Sequence, residues 1–531
     1  MIKQDAIEWL NQAIFYQIYP QSFYDSNADG IGDLEGIIEK LDYLDWLGVN
    51  ALWLNPCFVS PFQDAGYDVA DYYQIAPRYG TNQDLKRLLD EAHRRGIRVC
   101  LDLVPGHTSI EHPWFKASCR HERNEYSDRY IWTDSTWDRV EDKMKFILGY
   151  AERDGAYAAN FFYCQPALNY GYAHPDPKQP WQQPVTAPGP QATRKELYKI
   201  MAYWLDLGAD GFRVDMAESL IKNDPDKTEI TKLWREVRHW MDQNYPHAAL
   251  IAEWGYPRLA IDAGFHVDFM FHFNAPGYPS LFFNEYGCFK GKNPFFDARG
   301  QGSVTEFLGE YLKHWVNCPN GYISIPSANH DFQRPRAGRS EQDLKVIFTF
   351  LLTFPGVPFI YYGDEIGMRY IEGLPSKEGG YARTGSRTPM QWDNSINAGF
   401  SSAASNQLYL PIDPDPYRPT VADQKKRPNS LLHHVKQLIA LRKRYTALQG
   451  NGGLELVHAK PFQYPFVYLR GTGDERFLIA IHPADRPIDL TVPLEKLSQA
   501  ELLIGDASID FLSKNSIRLR MQGISSAVFK L

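Results

Sequence analysis

Apolar residues along this chain fall into short runs separated by stretches of helical spacing. Ile14 to Tyr19, Val49 to Leu54 and Ile97 to Val104 read as strands. Between the first two, Leu34, Ile37, Ile38, Leu41 and Leu44 recur three and four residues apart, which predicts a helix from Asp33 onward. Asp84 to Arg94 is a second helix. Each connection is long enough for a right-handed crossover between parallel strands.

The alternation stops near His107. From there to Gln191 the chain is rich in Pro, Tyr, Asp and Gly, too long for an ordinary loop and too aromatic for a linker, so a small inserted domain is expected. The pattern then resumes with a helix over Lys195 to Leu207 and a strand at Gly211 to Asp215. A helix over Ile230 to Gln243, a strand at Ala249 to Glu253, another near Val267 to His272 and a helix over Val304 to Val316 follow. Tyr322 to Ile325 and Val357 to Tyr361 are the last two strands, with a helix around Leu344 to Leu352 between them. A long loop from Gly363 to about Asn429 leads to a final helix over Leu431 to Arg444. Eight strand–helix repeats predict a closed (β/α)8 barrel. The tail carries short β runs at Phe466–Leu469, Phe477–Ile481 and Ala527–Phe529, which predict an antiparallel β-sandwich domain. The expected units are 1–106 and 192–447 for the barrel, 107–191 for the insertion and 448–531 for the β domain.

Composition narrows the chemistry. Among 531 residues 44% are hydrophobic and 23% charged, as in ordinary globular proteins. A net charge of -8 argues against a nucleic-acid partner. Aromatic residues make up 14%, a generous supply of flat faces of the kind that line sugar sites. Cys57, Cys100, Cys119, Cys164, Cys288 and Cys318 show no CxxC spacing and are expected to be reduced and buried. The first residues carry no apolar secretory segment and no run of 18 apolar residues follows, so neither membrane insertion nor export is expected and the cytoplasm is the expected compartment. Oligomeric state is not legible.

The acids stand where a barrel places its chemistry, at the C-terminal ends of strands. Asp102 and His107 follow strand three, Arg213 and Asp215 end strand four, Glu253 ends strand five, and His330 with Asp331 follows strand seven. Carboxylates crowded over one mouth repel, and the least solvated retains a proton near neutral pH. That supplies a nucleophile and a general acid, the pair needed for retaining glycoside chemistry. Asp215 is the expected nucleophile, kept ionised by Arg213. Glu253, desolvated by Leu250–Ala252 and Trp254, is the expected acid/base. Asp331 binds sugar hydroxyls, to which His107 and His330 also donate. The absence of HExxH and of short-range partners for the two histidines weighs against a transition-metal site.

These segments resemble the alpha-amylase family of retaining glycoside hydrolases and transglycosylases over almost the whole chain. The matching pieces are Asp102–His107, Gly211–Asp215, the Glu253 strand, Asn329–Asp331 and Gly66–Tyr72, with Arg387–Asp393 pointing to the branch of oligo-1,6-glucosidase, α-glucosidase, trehalose synthase and sucrose isomerase. The resemblance implies Asp215 as nucleophile, Glu253 as acid/base and Asp331 as third acid. It places Tyr67 under the non-reducing glucose ring with Asp68 beside it, maps His107, Arg213 and His330 to the subsite around the cleaved bond, and makes Asp102 the acid that pairs with the arginine. Arg334 and Arg336, which follow Asp331, are candidates to steady the acids or touch the next sugar. Gly106 stands where the family's endo-amylases carry a calcium-ligating Asn, so that ion is not expected.

The loop Asp25–Asp33 suggests another ion. Asp25, Asn27, Asp29 and Asp33 take positions one, three, five and nine of an EF-hand-like loop, with Gly30 at the turn and Gly36 where the twelfth Glu belongs. One structural Ca²⁺ or Mg²⁺ is expected there, joined, as the resemblance implies, by the backbone oxygen of Ile31; the alternative is a network of Asx turns with no ion. No organic cofactor is expected. The expected activity is retaining hydrolysis of short α-linked gluco-oligosaccharides. The alternatives are transglycosylation or isomerisation by the same chemistry, endo-acting amylase action and, against the three intact acids, non-catalytic sugar binding.

Overall fold

The computed structural model describes residues 7–531 apart from 139, 141–143, 272–276, 284–291, 317, 319, 380, 474, 495–498 and 514. His272 and Cys288 lie outside the described residues. Eight parallel strands form one sheet: β1 (Phe15–Ile18), β2 (Ala51–Leu54), β3 (Arg98–Leu103), β4 (Gly211–Val214), β5 (Ala249–Ala252), β6 (Val267–Phe269), β7 (Tyr322–Ser324) and β8 (Phe359–Tyr361). Their order is β7-β6-β5-β4-β3-β2-β1-β8, each beside its neighbour in sequence, with β8 returning to β1. The last join, between β7 and β8, is made by single bonds. Val357 N–H donates to the Ile323 carbonyl (3.1 Å), Ser327 N–H to the Phe359 carbonyl (2.9 Å), and Tyr361 N–H to Ser327 Oγ (3.0 Å). Gly356, at φ 111°, allows this approach, since a Cβ there would stand 2.0 Å from the Ile323 carbonyl oxygen. The expected (β/α)8 barrel is the fold.

Capping decides where the helices begin. Thr81 and Asp84 form a reciprocal capping box, so the second helix starts at Asn82 and presents Leu85, Leu88, Leu89 and Ala92 to the core. Ser340 and Asp343 do the same for Glu341–Thr353. Two expectations are corrected. Asp33 is an N-cap, its carboxylate accepting from Gly36 N–H (2.6 Å), and the helix it opens breaks at Lys40 into Leu34–Glu39 and Leu41–Leu47. The helix expected from Lys195 starts at Pro188, because Pro188 and Pro190 occupy its first turn, where no intrahelical N–H is required. The boundary expected at 191 therefore falls inside a helix.

The insertion carries the helix Pro113–Ser118 and a two-stranded ladder, Lys145–Leu148 against Ala156–Ala159, over a small core of Ile131, Ala158, Ala167, Tyr172 and Trp181. The C-terminal unit holds β9 (Leu454–His458), β10 (Phe466–Thr472), β11 (Glu475–His482), β12 (Pro487–Pro493), β13 (Glu501–Gly505), β14 (Ser508–Ser513), β15 (Ser516–Gln522) and β16 (Ser525–Lys530). They form two antiparallel sheets, β9-β10-β11-β16-β13 and β12-β15-β14, around Leu469, Leu478, Leu519 and Phe529. Among the described residues no helix is long and apolar enough to cross a membrane.

Candidate active site

Strand register assembles the site. Asp102 on β3 lies level with Arg213 on β4, and Val214 with Ala252 on β5, so Asp215 and Glu253 emerge side by side just past the strand ends. Arg213, fully buried, is the hub. Its Nη1 donates to Asp102 Oδ1 (2.9 Å) and Asp215 Oδ1 (3.0 Å), and its Nη2 meets Glu253 Oε1 (2.9 Å). The second oxygen of Asp102 accepts from Trp53 Nε1 and Tyr67 Oη, both at 3.0 Å. The second oxygen of Glu253 accepts from the Met216 N–H at 2.9 Å. Met216 sits at φ 44°, a strained conformation for a residue with a side chain, which turns that N–H toward Glu253.

One guanidinium serves three carboxyl groups, and the burial of all three outweighs it. Burial pushes Asp102 up to about 6 against the pull of Arg213. It pushes Asp215 up to about 7, with the Asp102 charge adding to the rise, and Glu253 up to about 8, with Asp215 and Asp331 adding. Arg213 favours the charged form of Asp215, as expected, but burial raises the group by more. What distinguishes the pair is order: Glu253 is the last to lose its proton. Asp331 behaves oppositely. Burial would raise it, but His330 at 3.3 Å and the guanidiniums of Arg383 (2.8 Å) and Arg387 (3.2 Å) hold it below the usual carboxylate range.

A cavity of about 460 Å³ opens above these groups, walled by Asp215, Glu253, Asp331, Tyr67, Phe161 and Trp254. His107 and His330 also line it, yet their ring nitrogens are engaged by the protein. His107 Nε2 donates to the Tyr67 carbonyl (3.1 Å) while Nδ1 accepts from Asn160 (3.0 Å). His330 Nδ1 accepts from Gln17 (3.1 Å) and Asn55 (3.2 Å), leaving Nε2 to donate to Tyr67 Oη (2.9 Å). Burial lowers His107 to about 4 and His330 to about 3, the latter against the pull of the Asp331 charge. Both rings thus brace Tyr67 from the cavity wall, and the Tyr67 ring stacks on His330 at 5.3 Å.

Three expected sugar contacts lie elsewhere. Asp68, fully buried, closes its own loop by accepting from Ser60 Oγ, Gln63 N–H and Asp64 N–H. Arg334 is fully buried against Asp364 (2.8 Å) and the carbonyls of Tyr362 and Ser386. Arg336 bonds the Arg339 carbonyl and faces a different cleft. In their place stand residues that sequence reasoning passed over. Asp64 lines the cavity, accepting from Gln165 Nε2 (2.7 Å), and Arg383 pairs with both Asp64 (3.3 Å) and Asp331. The signal for Arg387 was present, since it opens the Arg387–Asp393 segment; Asp64 and Arg383 sit in loops whose path only the fold supplies.

The Asp25 loop is knitted by Asx-type bonds. Asp25 accepts from the N–H groups of Asn27, Ala28 and Gly30 and from Ser401 Oγ, Asn27 from Asp29, Asp29 from Ile31, and Asp33 from Ser26 and Gly36. Among the described residues no three His, Cys, Asp or Glu side chains converge as a metal cage.

Comparison with known proteins agrees with this architecture. Residues 17–451 match the alpha amylase catalytic-domain family. The chain is 34% identical over 496 residues to a trehalose synthase/amylase of Mycolicibacterium smegmatis, covering 85% of this chain and 79% of that one. It is 31% identical over 573 residues to an oligo-1,6-glucosidase of Parageobacillus thermoglucosidasius, covering 96% and 97%. Among solved structures, the trehalulose synthase of Pseudomonas mesoacidophila superposes with a TM-score of 0.81 at 25% identity, over 98% of this chain and 99% of that one. The isomaltulose synthase of Erwinia rhapontici, solved with sucrose, gives a TM-score of 0.81 at 26% identity over the same shares.

Proposed function

The chain belongs to the alpha-amylase family, and from that premise we propose that it is a retaining α-glucoside hydrolase acting on short gluco-oligosaccharides. The observation that carries the reading is the tie of Asp215 and Glu253 to the two terminal nitrogens of Arg213, with Glu253 the later to ionise. Retaining enzymes need their two carboxyl groups about 5–5.5 Å apart, one anionic and one protonated. Glu253 protonates the departing glycosidic oxygen while Asp215 attacks the anomeric carbon and forms a glucosyl ester. Asp215 loses its charge as Glu253 gains one, and Arg213 is bonded to both, so its counter-charge is matched on each side of the step. Water, deprotonated by Glu253, then releases glucose.

Transfer in place of hydrolysis is the second reading, favoured by the relatives named as synthases. The two differ in whether water or the departing sugar reaches the ester. Time-resolved products from maltose, isomaltose, trehalose and sucrose separate them: free glucose from the earliest points supports hydrolysis, whereas an isomer of the substrate ahead of glucose replaces it with isomerisation. Maltoheptaose in the same panel distinguishes exo from endo attack.

The proton order sets a pH dependence. kcat/KM follows a bell whose two limbs are the apparent values of the Asp215–Glu253 pair, both raised by burial above the ordinary carboxylate range. With Glu253→Gln and α-glucosyl fluoride, whose leaving group needs no proton, the falling limb disappears. A falling limb that persists in that variant assigns it to another group.

A further inference from the structure

Glu253 is held from two sides. Toward β4, its N–H donates to the Val214 carbonyl (3.0 Å) and its carbonyl accepts from Ala217 N–H (3.1 Å). Toward β6 the hold is a carboxylate. Asp268, fully buried and level with Ala252 in the β5–β6 ladder, accepts from Trp254 N–H (3.0 Å) and Gly255 N–H (3.3 Å) on one oxygen. Its other oxygen accepts from Tyr256 N–H (3.0 Å). Gly255, at φ 72°, turns the chain so that three successive N–H groups converge, the concave arrangement that binds anions. These three N–H groups offset part of the cost of burying Asp268, which burial still pushes up to about 7.

We propose that Asp268 is the positioning residue for the acid/base: by clamping the three residues after Glu253 it fixes where the Glu253 carboxyl meets the leaving oxygen. The inference rests on the reading of Glu253 as proton donor. Nothing in the chain's motifs marks Asp268, which sits within a short strand with no polar neighbour in sequence but His266. The physical leverage is large, because a displacement of about 1 Å at a reacting group lowers rate by roughly 100-fold. Asn at this position offers one acceptor oxygen and places an NH2 against N–H donors, which opens the turn.

The test compares kcat/KM for two substrates: α-glucosyl fluoride, and the disaccharide of the panel above that is turned over fastest. A misplaced acid slows only the substrate that needs a proton. Asp268→Asn is expected to lose about 100-fold on the disaccharide and less than about 3-fold on the fluoride. Asp268→Ser, smaller and uncharged, is expected to split the two substrates in the same direction, and activity on the fluoride reports the folded enzyme in each case. Glu253→Gln serves as reference. If it fails to split the two substrates, the reading of Glu253 falls. If it splits them while both Asp268 variants lose equally on the two, the positioning role is overturned and Glu253 stands.

Discussion

Asp215→Asn removes turnover by at least about 10⁴-fold while leaving the fold and sugar binding in place. The amide keeps the shape of the buried side chain, but its neutral oxygen lacks the carboxylate's charge and is too weak a nucleophile to form the ester. Arg213 retains Asp102 and Glu253 as partners, so the variant keeps two of the three contacts that seat the guanidinium. A 5-fluoro glucosyl fluoride, which accumulates the ester, is expected to add its mass to the peptide bearing Asp215 in the parent enzyme and to none in the variant. Label on another carboxylate, or turnover within 10-fold of the parent in the variant, would remove Asp215 from the nucleophile's role.

The second large effect falls on stability. Arg213→Leu leaves three buried carboxyl groups without their shared cation, a loss of about 3–5 kcal/mol by analogy with broken buried pairs. Its pH dependence has a definite sign. A carboxyl whose folded value lies above its unfolded one binds the proton more tightly when folded, so its contribution to folding is fully present below about pH 4 and is lost as pH rises through the folded value. For Asp102, Asp215 and Glu253 those folded values are about 6, 7 and 8, which places the loss between pH 4 and 8 in the parent. Without the guanidinium the carboxyls rise further, and the fall in stability from pH 5 to pH 8 steepens. Urea melts at both pH values read it; equal destabilisation at pH 5 and 8 would show that Arg213 acts through packing alone. The same linkage makes Glu253→Gln more stable than the parent at pH 8, since an amide carries no charge to bury. The site is thus held together by one cation at a cost in folding stability that grows with pH.

Periodicity carried most of the fold because each barrel strand is a short apolar run and each helix presents one apolar face. That relation between spacing and burial is local, so the helix Leu431–Arg444 was legible at both ends and β1 to β8 to within about three residues. Where the local rule misled, the reason was also local chemistry: the Pro-rich stretch was carried to Gln191, yet Pro188 and Pro190 sit in a helix's first turn, and Asp33 reads as helical but caps. The polar residues at strand ends could be named from the sequence because strand ends are where barrels place them. What each one touches could not. Asp68 and Arg334 stand beside named motif residues in the chain but are turned into loop and core, while Asp64 and Arg383 reach the site from loops, and Asp268 meets the turn after Glu253 from a neighbouring strand, in directions that depend on register and turn geometry. The proton order of Asp215 and Glu253 is of the same kind. It follows from burial and from one guanidinium shared three ways, quantities that exist only once distant parts of the chain have packed together.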